Sequence, residues 1–143
     1  MDLAQLSAWI REYARMIGEN AGHLTDLDAA VGDADHGINM ERGMTAVVAA
    51  LDESPPADMA GLAKLVGMTL VRSVGGASGP LYGTFFLRMA TSLGPRDAVD
   101  AAGFAEALRA GVEGVVQRGH AEPGDKTMYD ALAPAMDALD GEL

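Results

Sequence analysis

Apolar residues recur at steps of three and four along most of the chain, the spacing of one helix face. The first series starts near Leu3, and Asp2 stands where it can cap that helix. We assign the stripe of Trp9 and Tyr13 to the core, because any packed helix shows this spacing. The members of the series are Leu6, Trp9, Ile10, Tyr13, Met16, Ile17, Ala21 and Leu24.

Five further helices follow from the same pattern. They are predicted at about 38–51, 59–74, 80–93 and 102–118, with a last one holding Met128, Leu132, Met136 and Leu139. Asp125 is predicted to be the N-cap of the last helix. Aromatic residues make up only 5% of the chain, which favours packed helices over a β-rich fold, so we expect an all-α chain of up-and-down helices with short connections.

Composition supports one domain over residues 1–143, with 49% hydrophobic residues and a formal net charge of −11. The ten basic residues are scattered, which argues against nucleic-acid binding. No apolar run is long enough for a membrane span. The absence of cysteine and of a signal-peptide pattern leads us to expect a soluble cytoplasmic protein.

The most informative segment is an acidic turn between the first two helices. It contains Asp28, Asp33 and Asp35, together with Gly32 and Gly37. Carboxylates are hard oxygen ligands, and a chain without cysteine offers no thiolate, so the cation would be Mg²⁺ or Ca²⁺. A helix start follows directly, which favours a phosphate beside the metal.

Two other interpretations of this turn were weighed. An acidic, glycine-containing loop is often only a solvated turn. An EF-hand needs glycine at its sixth position and glutamate at its twelfth, where counting from Asp33 gives Ile38 and Met44. The EF-hand interpretation therefore fails.

Two more glycine-rich turns, 75–80 and 119–125, also precede helices. The first lacks the Gly-Lys-Ser/Thr ending of a Walker loop. It is either a tight interhelical turn or a backbone surface that a ligand approaches, with Ser78 as hydroxyl donor. Alternate loops of an up-and-down bundle lie at one end, so we expect the three turns to form one site. His120 is expected to be an exposed loop residue without a catalytic role.

Three segments in this order closely resemble the ADP-binding L subunits of bacterial phosphoenolpyruvate-dependent dihydroxyacetone kinases. The segments read GDADHGINM at 32–40, GGASGPLYG at 75–83 and GHAEPGDKTM at 119–128. The resemblance implies an antiparallel barrel of eight helices that holds ADP or ATP with two Mg²⁺ ions at one end. By the same resemblance, Asp28, Asp33 and Asp35 are metal ligands. The implied nucleotide-binding residues are His36, Gly37, Ile38, Asn39, Ala77, Ser78, Gly119 and Met128.

The resemblance also implies the chemistry and the partners. A phosphohistidine carrier subunit would phosphorylate the bound ADP, and the phosphoryl group would pass to dihydroxyacetone on a third subunit. Such transfer needs positioning and charge neutralisation, so no catalytic side chain is expected here. Only six of the family's eight helices are expected within these 143 residues. We therefore expect an open apolar face, self-association and weak nucleotide affinity.

Two alternatives remain. One is the nucleotide domain of an ATP-dependent dihydroxyacetone kinase or of a fatty-acid kinase. His36 argues against the fatty-acid type, whose loop resembles this one but carries Thr at that position. The other is a nucleotide-sensing adaptor that binds a transcription regulator.

Overall fold

The computed structural model describes residues 1–143 as six α-helices and no strand. All six predicted helices are confirmed. The first helix continues past Leu24 to Asp28, so Asp28 lies at a helix end and not in the loop. The helices are α1 (Leu3–Asp28), α2 (His36–Glu53), α3 (Met59–Ser73), α4 (Ser78–Leu93), α5 (Ala101–Gly119) and α6 (Tyr129–Gly141).

Each helix packs against the next one in the chain, which gives the predicted antiparallel up-and-down arrangement. The interfaces of α4 with α3 and with α5 are the most extensive, and α6 packs on α5. Between α1 and α5 the chain is also tied by an isolated β-bridge that joins Asp2 to Ala98. None of the six helices combines the length and the apolar character that a membrane span needs.

Glycines allow the helices around α4 to approach closely. A Cβ atom on Gly67 of α3 would lie 2.9 Å from the carbonyl oxygen of Gly83 in α4. One on Gly83 would lie 2.3 Å from Val71 Cγ2. On the other side of α4, the ring of Phe85 fills the space beside Gly111 of α5. Small residues at these positions therefore set the helix spacing.

The core is a cluster of 17 buried apolar residues drawn mainly from α1 to α4. Met40, Met44 and Met89 are among the largest fully buried side chains. Trp9 packs against Phe86 and, edge to face, against Phe104, with ring centroids 6.4 and 5.9 Å apart. The assignment of Trp9 to the core is only partly right, because 37% of the residue stays exposed.

That exposure reflects an apolar cavity of about 280 Å³ between α1, α4, α5 and α6. Trp9, Tyr82, Met128 and Leu132 are among its lining residues, all of which are hydrophobic. No residue of α6 is fully buried. Burial raises the pKa of Tyr82 and keeps its phenol neutral. The apolar surface of α1, α4 and α5 is thus only partly covered by α6.

Three helices begin with an aspartate cap. Asp2, Asp58 and Asp100 each accept a hydrogen bond from the backbone N–H three residues later, at the starts of α1, α3 and α5. The predicted cap at Asp2 is confirmed, and Gln5 completes a capping box there. Because the helices alternate in direction, all three caps lie at one end of the molecule.

The predicted N-cap role of Asp125 is wrong. Its carboxylate instead accepts the backbone N–H of Glu122 at 2.8 Å, within the loop. α6 begins only at Tyr129, and Asp130 in its first turn accepts two backbone N–H groups of the same loop. These bonds lower the pKa of Asp130. Asp125 and Asp130 therefore accept hydrogen bonds from backbone N–H groups of the loop, and Asp125 does not cap the helix.

We predict opposite effects for two glycine substitutions. Gly67→Ala places a methyl group against α4 and should destabilise the fold by about 1–3 kcal/mol. Gly22→Ala, in the middle of α1 with no atom within 4 Å of the new Cβ, should stabilise it by about 0.5–1 kcal/mol. Urea denaturation of both variants checks this. Equal destabilisation by the two would contradict the packing described here.

We also expect the 143-residue polypeptide to self-associate through the open apolar wall. Sedimentation velocity over a range of concentrations should show dimers or larger species. Ala131→Glu puts a carboxylate at the exposed rim of the cavity and should shift the equilibrium towards monomer. A wild-type chain that stays monomeric throughout would contradict the expectation.

Candidate functional site

The three aspartates of the acidic turn form one cluster. Asp28, Asp33 and Asp35 can each place one carboxylate oxygen so that all three lie within 4.8 Å of one another. Oxygens on opposite sides of a Mg²⁺ ion lie about 4.1 Å apart, so the cluster fits such an ion after a small contraction. The donor set contains oxygen only, as a hard divalent cation requires.

Asp28 connects the end of α1 to the start of α2. Its Oδ2 accepts the backbone N–H of Asp35 at 3.0 Å and that of His36 at 3.3 Å. Its Oδ1 lies only 2.1 Å from where a Cβ on Gly32 would be, so a larger residue at 32 would displace this carboxylate. The bond from Asp35 N–H is the main cause that lowers the pKa of Asp28. Asp28 is therefore a fixed anion.

The other two carboxylates repel each other. Asp35 raises the pKa of Asp33, chiefly by sharing a hydrogen bond and also by its charge, and Asp28 adds to the effect. Between them, Ala34 has a φ of 59°, in the left-handed region that residues with a side chain seldom adopt. This turn brings both carboxylates beside Asp28. A divalent cation would relieve the repulsion.

The second turn meets the first, as the sequence predicted. His36 Nδ1 lies 3.1 Å from the hydroxyl oxygen of Ser78, the first residue of α4. Residues 74–77, hereafter the glycine loop, lead into Ser78. Gly76 has a φ of 64°, which glycine adopts without strain. A Cβ on Gly79 would lie 2.3 Å from the carbonyl oxygen of Val74, so the loop is tightly closed.

The first turn of α2 presses against α1. A Cβ on Gly37 would lie 1.8 Å from the carbonyl oxygen of Ala21, whereas Ile38 is 56% exposed. Asn39 is the only buried polar residue of the chain and is 8% exposed. Its amide oxygen accepts a hydrogen bond from Arg42, a residue that was not predicted from the sequence to belong to the site. The sequence feature that could have identified Arg42 is its place one helical turn after Asn39, on the same helix.

The third turn reaches the same end without touching the acidic cluster. A Cβ on Gly119 would lie 3.3 Å from Leu81 in the first turn of α4. Met128 lines the apolar cavity with Tyr82. His120 is exposed and ends α5 in the left-handed conformation, with a φ of 54°. No hydrogen bond links this turn to the aspartates, so it borders the site from the α4 side.

The residues directly before the helices at this end supply no side-chain cap. α2, α4 and α6 follow Asp35, Ala77 and Met128, none of which makes a side-chain capping bond. Uncapped N–H groups and the positive end of the helix dipole attract anions. The aspartate caps stand at the other end of the molecule. The site thus places three carboxylates, a donor set suited to a cation, beside helix starts that suit phosphate.

Comparisons with known proteins identify the family of this chain. Residues 30–142 match the DAK2 domain family. The chain is 45% identical over 134 residues to PEP-dependent dihydroxyacetone kinase 1, ADP-binding subunit DhaL, of Listeria innocua, covering 94% of this chain and 67% of that protein. It is 43% identical over 135 residues to the Escherichia coli ADP-binding subunit DhaL, covering 94% and 64%. It therefore spans about two thirds of the length of these relatives.

A solved structure shows the same fold. The dihydroxyacetone kinase of C. freundii, in complex with AMP-PNP and Mg²⁺, superposes with a TM-score of 0.85 at 29% identity. The match covers 97% of this chain and 25% of that one. Sequence and structure agree on the relationship, and the chain belongs to the DAK2 domain family.

Proposed function

We propose that this chain is the nucleotide-binding part of a dihydroxyacetone kinase that uses phosphoenolpyruvate as its phosphoryl source. It would hold ADP or ATP as a bound coenzyme with two Mg²⁺ ions. The observation that carries the proposal is the cluster of three aspartate oxygens within 4.8 Å beside uncapped helix starts. The names of the relatives, ADP-binding subunits of such kinases, support it.

Charge explains why metal is part of the proposal. The chain has a formal net charge of −11, and its acidic cluster would repel a diphosphate. Asp28, Asp33 and Asp35 would hold the Mg²⁺ ions. The bound ions would neutralise phosphate charge and orient the transferred group, which is the chemistry that phosphoryl transfer needs most.

The starts of α2 and α4 would hold the phosphates. Ser78 offers a hydroxyl, and the uncapped starts of α2 and α4 offer backbone N–H groups. Gly37 and Ile38 lie in the first turn of α2, and Ala77 precedes α4. Asn39 adds an amide group from the next turn of α2. These groups bind and orient, and none is needed as a nucleophile.

The third turn would receive the nucleoside. Gly119 and Met128 lie beside the start of α4 and offer backbone and apolar surface, which suit a sugar and a flat base. In the proposed relay, a phosphohistidine carrier subunit phosphorylates the ADP. A subunit that binds dihydroxyacetone then receives the phosphoryl group. The relay would operate in the cytoplasm.

The first prediction here is that ADP binds only when Mg²⁺ is present. Without a cation, three carboxylates would face the diphosphate, and like charges at this range repel even in water. Isothermal titration calorimetry in Mg²⁺ and in EDTA measures the difference. Undiminished ADP affinity in EDTA would refute the role of the cluster.

A second prediction concerns the aspartates themselves. Asp33→Asn or Asp35→Asn should reduce Mg²⁺-dependent ADP affinity by more than the roughly 10- to 100-fold typical of outer-shell losses. The raised pKa of Asp33 means that its ionised form destabilises the metal-free fold, and stability falls as pH rises through that pKa. Asp33→Asn should therefore melt no lower than wild type without metal.

Asp137→Asn is the matched control, since it removes the same charge from an exposed position on α6. It should bind Mg²⁺-ADP like wild type. Calorimetry gives the affinity, and thermal melts with and without Mg²⁺ give the stability. If all three variants bind equally well, the metal assignment is wrong.

A further inference from the structure

Arg42 joins α2 to the end of α3 through two hydrogen bonds. Its Nη2 donates to Asn39 Oδ1 at 2.7 Å, and its Nε donates to the backbone carbonyl of Ser73 at 3.1 Å. Ser73 is the last residue of α3, so its carbonyl has no partner within the helix. The guanidinium supplies that partner where the glycine loop begins.

The bond to Arg42 fixes which way the Asn39 amide points. A guanidinium has donors only, so the atom that faces it must be the amide oxygen. The NH₂ group of Asn39 is then turned away from Arg42. This is the side chain's only hydrogen bond, and both N–H donors are left without a protein acceptor.

Those donors lie beside the glycine loop. The Nδ2 and Oδ1 atoms of Asn39 lie 3.7 and 3.9 Å from where a Cβ on Gly75 would be, so the whole amide borders the loop, and Arg42 Nη2 lies 3.9 Å from the same point. Position 75 has no side chain that could block the amide there, although Asn39 as a whole is only 8% exposed. Next to Arg42, Gly43 lets Val74 approach to 2.3 Å from where its Cβ would be. The loop therefore rests directly on α2.

We propose that Arg42 is a positioning residue for nucleotide binding. It holds the Asn39 amide so that its NH₂ group faces the glycine loop, next to the proposed phosphate site. This inference rests on the proposed function, and it adds a residue that acts through another rather than by touching the nucleotide.

The competing role for Arg42 is direct attraction of a phosphate by its charge. Two observations favour positioning. Its Nε and Nη2 donors are already engaged, and they point to two different helices. The acceptors they reach, an amide oxygen and a helix-terminal carbonyl, are groups whose orientation the site needs. A positioning role predicts that the effect of Arg42 depends on Asn39, whereas direct attraction does not.

A double-mutant cycle in Mg²⁺-ADP affinity separates these roles. Arg42→Gln alone should weaken binding about 10- to 100-fold, the range for a lost hydrogen bond to a charged group. In the Asn39→Ala background, the same substitution should change affinity by no more than about twofold. Arg42→Lys should restore little, because an ammonium cannot donate along the two directions of the guanidinium plane.

Arg11→Gln is the control for charge. Arg11 is also exposed and also pairs with α2, but at Asp52 near the other end of that helix. Its loss should leave ADP affinity within about twofold of wild type. Thermal melts of every variant in the absence of nucleotide report any general loss of fold, which would lower binding equally in both backgrounds.

Each result of these binding measurements either supports or contradicts the positioning role of Arg42. Wild-type affinity in Arg42→Gln, or an equal loss with and without Asn39, overturns positioning. Full rescue by Arg42→Lys also overturns it and assigns Arg42 a simple charge effect. If the wild-type chain itself fails to bind Mg²⁺-ADP, the proposed function is wrong and the inference about Arg42 is wrong with it. This result differs from every result above, because in those the wild-type chain binds and only the variants change.

Discussion

The site depends on how closely the first turn of α2 lies against the last turns of α1. Gly37 faces the carbonyl oxygen of Ala21 with no room for a side chain, and Asp28 holds the backbone N–H groups of Asp35 and His36. α2 is therefore started by a carboxylate of the preceding helix and not by a cap of its own. This single arrangement crowds the aspartates together and leaves the following N–H groups free.

Such crowding is unfavourable for the fold alone, and the rest of the molecule compensates for it. Close glycine-mediated packing around α4 and the buried cluster provide stability away from the site. Sites that bind ligands commonly keep local strain that the surrounding structure tolerates. Ala34 in the left-handed region and the raised pKa of Asp33 are the two signs of that strain here.

Features that depend on local periodicity could be predicted from the sequence. The six helices, the cap at Asp2 and the meeting of the first two glycine turns followed from residue spacing and helix alternation. The prediction of an N-cap at Asp125 failed because a loop carboxylate can accept hydrogen bonds from several nearby backbone N–H groups, and Asp125 accepts one within the loop. The exposure of Trp9 and the contact between Arg42 and Ser73 depend on tertiary packing, which no local pattern encodes. Which residues bind metal and nucleotide remains a prediction.

The unequal capping of the two ends has a consequence for how the molecule responds to its ligand. Aspartate N-caps close the helix starts at one end, while at the other end the residues directly before α2, α4 and α6 supply no side-chain cap. An anion bound there would act as an N-cap supplied from outside. Order at that end and occupancy by the ligand would then form one coupled equilibrium, in which binding stabilises the helix starts.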